Sequence, residues 1–204
     1  MKSYYKTTLL FSVLALHLNA QQKLPDPCGL FNSGTHVSDC NRATPANMVN
    51  DSVFPGSKFL LTKDSLHGYT WIKCRNGDKI LIIDCGCSDF TNVFQFTTKR
   101  FSADTTNYKY WYPKAAELLH EASAGLYATT PFSFKKGADT LLSFTNAYPD
   151  SLKLQRIIYY YKGGPPTDGN TDDYMSMMPH FFISRIQKLG NDEYMVEITF
   201  SVSL

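Results

Sequence analysis

Residues 74–89 read CRNGDKILIIDCGCSD, three of the chain's five cysteines set around a turn signal and a run of branched aliphatics. Asn76-Gly77 is a strong short-range hairpin signal, because both central residues of a type I′ turn need positive φ. A two-residue turn there predicts the register: Arg75 faces Asp78, Cys74 faces Lys79, Trp71 faces Ile82 and Tyr69 faces Asp84. Cys74 and Cys85 then lie about 20 Å apart along the ladder, whereas a bridge tolerates about 4.4–6.8 Å between Cα atoms. Cys85 and Cys87 share a face if the strand continues, and Gly86 between them allows the strand to break. Cys74, Cys85 and Cys87, with Asp89 nearby, invite a thiolate metal site or a redox pair. Zinc sites generally space their cysteines by two to four residues, so the one-residue gap favours structural bridging.

Working outward, short β-branched and aromatic runs between turn signals predict antiparallel strands at 58–62, 69–75, 78–84, 92–101, 140–145, 153–161, 181–188 and 193–202. Along the last strand Tyr194, Val196, Ile198, Phe200 and Val202 alternate with polar residues, as for one buried and one wet face. The LGND segment 189–192 predicts a hairpin back to the strand before it. A single helix is expected over 113–124, with Pro113 at its first position, Gly125 just past its end, and Ala115, Leu118, Leu119 and Ala122 on one face. The expected fold is α+β: one domain over 57–204, a mostly antiparallel twisted sheet with one helix packed on it, preceded by an irregular Pro/Asn/Ser-rich arm over 21–56.

Residues 1–20, MKSYYKTTLLFSVLALHLNA, have the layout of a cleaved secretory signal: Lys2 and Lys6 precede an apolar run too short to span a bilayer. The whole chain carries 20 Lys+Arg and 18 Asp+Glu; dropping those two lysines takes the formal charge from +2 to 2 − 2 = 0. Electrostatic capture of nucleic acid or anionic lipid is therefore not expected. An exported chain, periplasmic or extracellular, meets conditions in which disulfides persist. Cys28 and Cys40 are close enough in sequence to bridge each other. That leaves at most one further bridge among Cys74, Cys85 and Cys87, and one thiol.

No catalytic fingerprint is present. His120-Glu121 opens an H-E-x-x-H pattern whose fifth position is Ala124, so the second metal ligand is missing and both read as solvent-facing. His36, His67 and His180 have no paired nucleophile in sequence, and there is no G-x-S-x-G elbow or phosphate-cradling loop. Asp168, Asn170 and Asp172, in the 163–173 loop, have the opening spacing of a calcium loop, but Asp173 and Pro179 stand where its Gly and bidentate acid belong. No cofactor and no metal is expected. Asp51, Asp64, Asp139 and Asp150 each precede Ser or Thr and then an aliphatic, like the acceptor tripeptide of some bacterial O-glycosylation systems. Asn50-Asp51-Ser52 also matches the N-glycosylation acceptor.

Two aromatic clusters remain, Tyr108, Tyr110, Trp111 and Tyr112 in one and Tyr159, Tyr160 and Tyr161 in the other. Consecutive strand residues point to opposite faces, so part of the second cluster is expected at the surface, where flat rings with polar rims stack on sugars or anchor proteins. The functional expectation is an exported, non-catalytic binding module for a polysaccharide or protein partner. The alternatives are an exported enzyme, either a hydrolase with a dispersed site or a thiol protein using Cys85 or Cys87, and a structural envelope component.

Overall fold

The computed structural model describes residues 24–30, 33–127, 132–160 and 178–203. The proposed signal segment, the 163–173 loop with its calcium-like triplet, and Tyr161 lie outside them. Seven strands form one antiparallel sheet: β1 (Lys58–Leu61), β2 (His67–Lys73), β3 (Lys79–Cys85), β4 (Asp89–Thr98), β5 (Ile158–Tyr159), β6 (His180–Lys188) and β7 (Tyr194–Ser203), in the order β1-β2-β3-β4-β7-β6-β5. The alternation expected in the last strand holds, with Tyr194, Val196, Ile198, Phe200 and Val202 at most 5% exposed. Its other face is not uniformly wet. Glu197 is buried there, accepting from Gln95 Nε2 at 2.8 Å and Ser184 Oγ at 2.8 Å beside a register shift in β6.

Among the described residues two α-helices, not one, cover the inner face: α1 (Tyr108–Ser123) and α2 (Phe134–Ala147). α1 starts five residues before Pro113, capped by the Asn107 side chain, and Pro113 removes one backbone donor inside the helix instead of opening it. The strand expected over 140–145 is the second half of α2. Ser133 caps it through Lys136 N, and Phe134, Ala138, Leu141 and Thr145 repeat at helical spacing on its buried side. The strand expected over 153–161 shrinks to the two residues of β5. Ile80, Ile82, Phe94, Phe96, Ile198 and Phe200 from the sheet pack with Trp111, Leu119 and Leu141 from the helices as the main core.

The 74–78 turn differs from expectation by one residue. Gly77 N donates to Cys74 O at 3.1 Å and Cys74 N to Asp78 O at 2.8 Å, and Gly77 takes positive φ while Asn76 does not. That is a three-residue loop, a type I turn closed by a left-handed glycine, in place of a two-residue type I′ turn. The register therefore runs Lys73↔Lys79, Trp71↔Leu81, Tyr69↔Ile83 and His67↔Cys85. Since side chains alternate, the single residue exchanges which partners share a face, moving Trp71 from Ile82 to Leu81.

The opposite face of the sheet is crossed by the arm. Leu24 and Cys28 pack on Tyr69, Ile83, Cys85 and Val93. Disulfides join Cys28 to Cys85 and Cys40 to Cys87, with Cα separations of 6.3 and 4.5 Å. The expected Cys28–Cys40 bridge is thus corrected: both cysteines are oxidised, but to the sheet, because the arm is laid out along β2 and β3 instead of folding back on itself. The buried Arg42 guanidinium locks the next stretch, bonding Asp84 at 2.8 Å and the Cys85 carbonyl, while Asn92 Nδ2 donates to the same carboxylate at 2.9 Å. Burial raises the Asp84 pKa against the opposing pull of Arg42. Near the arm's start, His67 Nε2 meets Asp26 at 2.8 Å and Tyr69 OH donates to Pro25 O at 2.7 Å.

Candidate binding surface

The aromatic clusters are largely core. Trp111 and Tyr112 are 0% exposed and Tyr160 is 5% exposed, which corrects the expectation of a surface patch built on them. The physical reason is that residues 108–112 begin a helix: Trp111 and Tyr112 extend the buried stripe of Ala115, Leu118, Leu119 and Ala122. Their polar atoms are satisfied inside, Trp111 Nε1 donating to Asp104 O at 2.9 Å and Tyr112 OH to Lys153 O at 2.6 Å. Burial pushes the Tyr112 phenol up to about 12 and raises that of Tyr160. Tyr108 and Tyr110 are half-buried against the core, and Tyr159 sits edge-on to His180 at 5.9 Å.

Cys85 and Cys87 are both consumed in bridges, which removes the thiolate on which a thiol-enzyme reading of them depends. Cys74 is the free thiol. It lies on the wall of a cavity of about 610 Å³ between the 52–55 loop, the 74–78 turn and α1. Burial, then the charges of Asp78 and Glu121, push its pKa up to about 11. Those two acids are held by Arg100, at 2.8 and 2.7 Å. His120 is exposed on α1 as expected, and His180 Nδ1 meets Met178 O at 3.0 Å. Among the described residues no group of three or more His, Cys, Asp or Glu is placed to hold a metal ion.

A different aromatic reaches the surface. Along β2, Thr70 and Ile72 face the helices, so Tyr69, Trp71 and Lys73 face the arm's side. The arm covers Tyr69 but not Trp71, which is 37% exposed. Trp71 lies beside the Tyr69 ring, centroids 5.9 Å apart, with Lys58 opposite on β1 and Leu81 opposite on β3. Continuing across the sheet, Lys79 stands opposite Lys73, Gln95 opposite Leu81 and Thr97 opposite Lys79. These residues line an open depression of about 620 Å³. Lys79 reaches Glu193 at 3.2 Å, whereas Lys58 and Lys73 have no ion pair among the described residues.

Sequence reasoning missed Trp71 because the two-residue turn placed it opposite Ile82, a core position. The available signal was alternation within β2, which sets Trp71 in phase with Lys73. Neither that phase nor the register says where the arm ends. No family model, curated protein or solved structure matches the chain.

Proposed function

We propose that this chain is an exported, non-catalytic binding module that holds an acidic polysaccharide against strands β1–β4. The observation that carries the reading is the Trp71 ring, open on the sheet, with Lys58 opposite it and Lys73 two residues along the same strand, neither in an ion pair among the described residues. A flat indole stacks on the C–H face of a pyranose, and ammonium groups around it attract carboxylate or sulfate substituents. Thr97 and the Gln95 carbonyl oxygen add hydrogen-bonding groups for sugar hydroxyls, the Gln95 nitrogen being held by Glu197. The mature segment is neutral as a whole, so the lysines make a local positive field, screened over about 8 Å at physiological salt. Export is supported by two disulfides, and no helix among the described residues is long and apolar enough to cross a membrane.

Affinity electrophoresis of the mature protein through gels containing polygalacturonate or a neutral glucan tests this. Retardation is expected in the acidic gel, falling about fivefold to tenfold in Trp71→Ala, as for the loss of one stacked ring. It should also fall in Lys73→Glu and with added salt. Trp71→Ala migrating like wild type in the acidic gel overturns the reading. A protein partner is the second reading, favoured by the outer edge of β1, where Phe59, Leu60 and Leu61 are 36%, 45% and 36% exposed. In that case Leu60→Glu, not Trp71→Ala, abolishes binding.

A further inference from the structure

Four Asp-hydroxyl-aliphatic tripeptides occur in the chain: Asp51-Ser52-Val53, Asp64-Ser65-Leu66, Asp139-Thr140-Leu141 and Asp150-Ser151-Leu152. With 14 aspartates and the chain's own content of Ser, Thr, Leu, Ile and Val, random order would give about 0.4. The structure gives the four a shared disposition. All four aspartates are exposed, and Leu66, Leu141 and Leu152 are buried at 2%, 0% and 9% exposure. None of the four hydroxyls makes a hydrogen bond among the described residues, although Ser57, Thr62, Ser143 and Ser184 all donate one. The aliphatic residue anchors each tripeptide in the core, except at exposed Val53, and the acid is turned outward.

They differ in backbone. Ser65 is half-buried in a tight turn at φ 60°. Carboxylate contacts do not separate the sites, since Asp64 accepts from Thr62 Oγ1 at 2.6 Å, Asp51 from Ser57 Oγ at 2.9 Å and Asp150 from Lys109 Nζ at 2.8 Å, each leaving its other oxygen open among the described residues; exposure of the hydroxyl does. Thr140 is half-buried in the middle of α2, whose backbone is closed into helical bonds. Ser52 and Ser151 are exposed in irregular turns, Ser52 before β1 and Ser151 just after α2. We propose that the folded, exported chain is O-glycosylated on Ser52 and Ser151, with Asp51 and Asp150 as the acidic recognition groups. In each transfer the serine Oγ attacks the anomeric carbon of a sugar activated through phosphate on a lipid or nucleotide carrier. The sugar–phosphate C–O bond breaks, the phosphate leaves with the electron pair, and the hydroxyl proton passes to a base of the transferase. This modification rests on the export half of the proposed function and not on ligand binding at Trp71.

Intact-mass measurement of the protein purified from its own exported fraction, against the same mature sequence made in a cytoplasm without such a transferase, tests the proposal. The exported form is expected to be heavier by two equal glycan increments. Ser52→Ala and Ser151→Ala each remove one, and so do Asp51→Asn and Asp150→Asn, which keep the hydroxyl. Both serine hydroxyls are exposed and make no hydrogen bond among the described residues, and the contacts of Asp51 with Ser57 and of Asp150 with Lys109 lie at the surface, where such pairs contribute little, so melting curves of the variants should overlay the wild type and show that the increments are not lost through misfolding. Asn50→Gln should change nothing, which separates this from N-linked attachment at the overlapping acceptor. An exported protein at its bare sequence mass, an increment that survives Asp51→Asn, or one lost in Asn50→Gln overturns the proposal.

Discussion

Cys74 and the paired cysteines show how position decides chemistry for one residue type. The Cys74 thiol, held at about 11 by burial and two neighbouring acids, carries about a hundredfold less thiolate at pH 8 than a thiol at the usual 9.0. In an oxidising compartment that keeps it from exchanging with the two bridges. Iodoacetamide should label it about a hundredfold more slowly in the native protein at pH 8 than after unfolding in urea, the rate climbing as pH approaches 11. The sign follows from the raised pKa: protonation persists to higher pH in the folded state, so equal native and unfolded rates at pH 8 would refute the shift. That one thiol is left over was legible from the odd count, and the Cys74–Cys85 exclusion from the ladder. The partners of Cys28 and Cys40 were not, because no local pattern records where an irregular arm crosses a sheet.

Among the elements, α2 was hardest to read. Gly137 lowers its helix propensity, and the Thr and Phe residues of 140–145 favour strands. The close packing explains the glycine: a Cβ at 137 would sit 2.9 Å from a Phe200 ring carbon and 3.1 Å from the Tyr160 oxygen. Propensity alone says that Gly137→Ala should stabilise the helix by about 1 kcal/mol. Overpacking against Phe200, itself wedged between Phe94 and Phe134, costs about 1–3 kcal/mol. Net destabilisation is therefore expected, and a urea midpoint above wild type would show that the interface can relax. The 74–78 turn taught a similar lesson. Asn-Gly marked the hairpin, but whether Asn76 also enters positive φ depends on how the strands twist together, which a dipeptide does not encode.

For the whole molecule, the two bridges close separations of 57 and 47 residues and tie the arm to the last residue of β3 and to Cys87, two residues beyond it. Chain entropy gives about 4 kcal/mol for either alone, less for the second because the loops overlap. Unreduced, thiol-blocked protein digested with trypsin should yield Leu24–Arg42 joined to Ile80–Lys99 at a mass four hydrogens below their sum. A free 24–42 fragment two hydrogens light would restore the local bridge and reject the clamped arm. Replacing Cys40 and Cys87 together by Ser should lower stability by about 2–4 kcal/mol in a denaturant titration while leaving the sheet formed. By itself the sequence determined the alternation of β7, the buried stripe of α1 and the separation of Cys74 from Cys85, because these follow from local periodicity and fixed rise per residue. Only the tertiary structure decided the arm's bridges, the burial of Trp111 and Tyr160 and the exposure of Trp71, because each depends on which distant segment covers a given face, and a coverage boundary leaves no period in the chain.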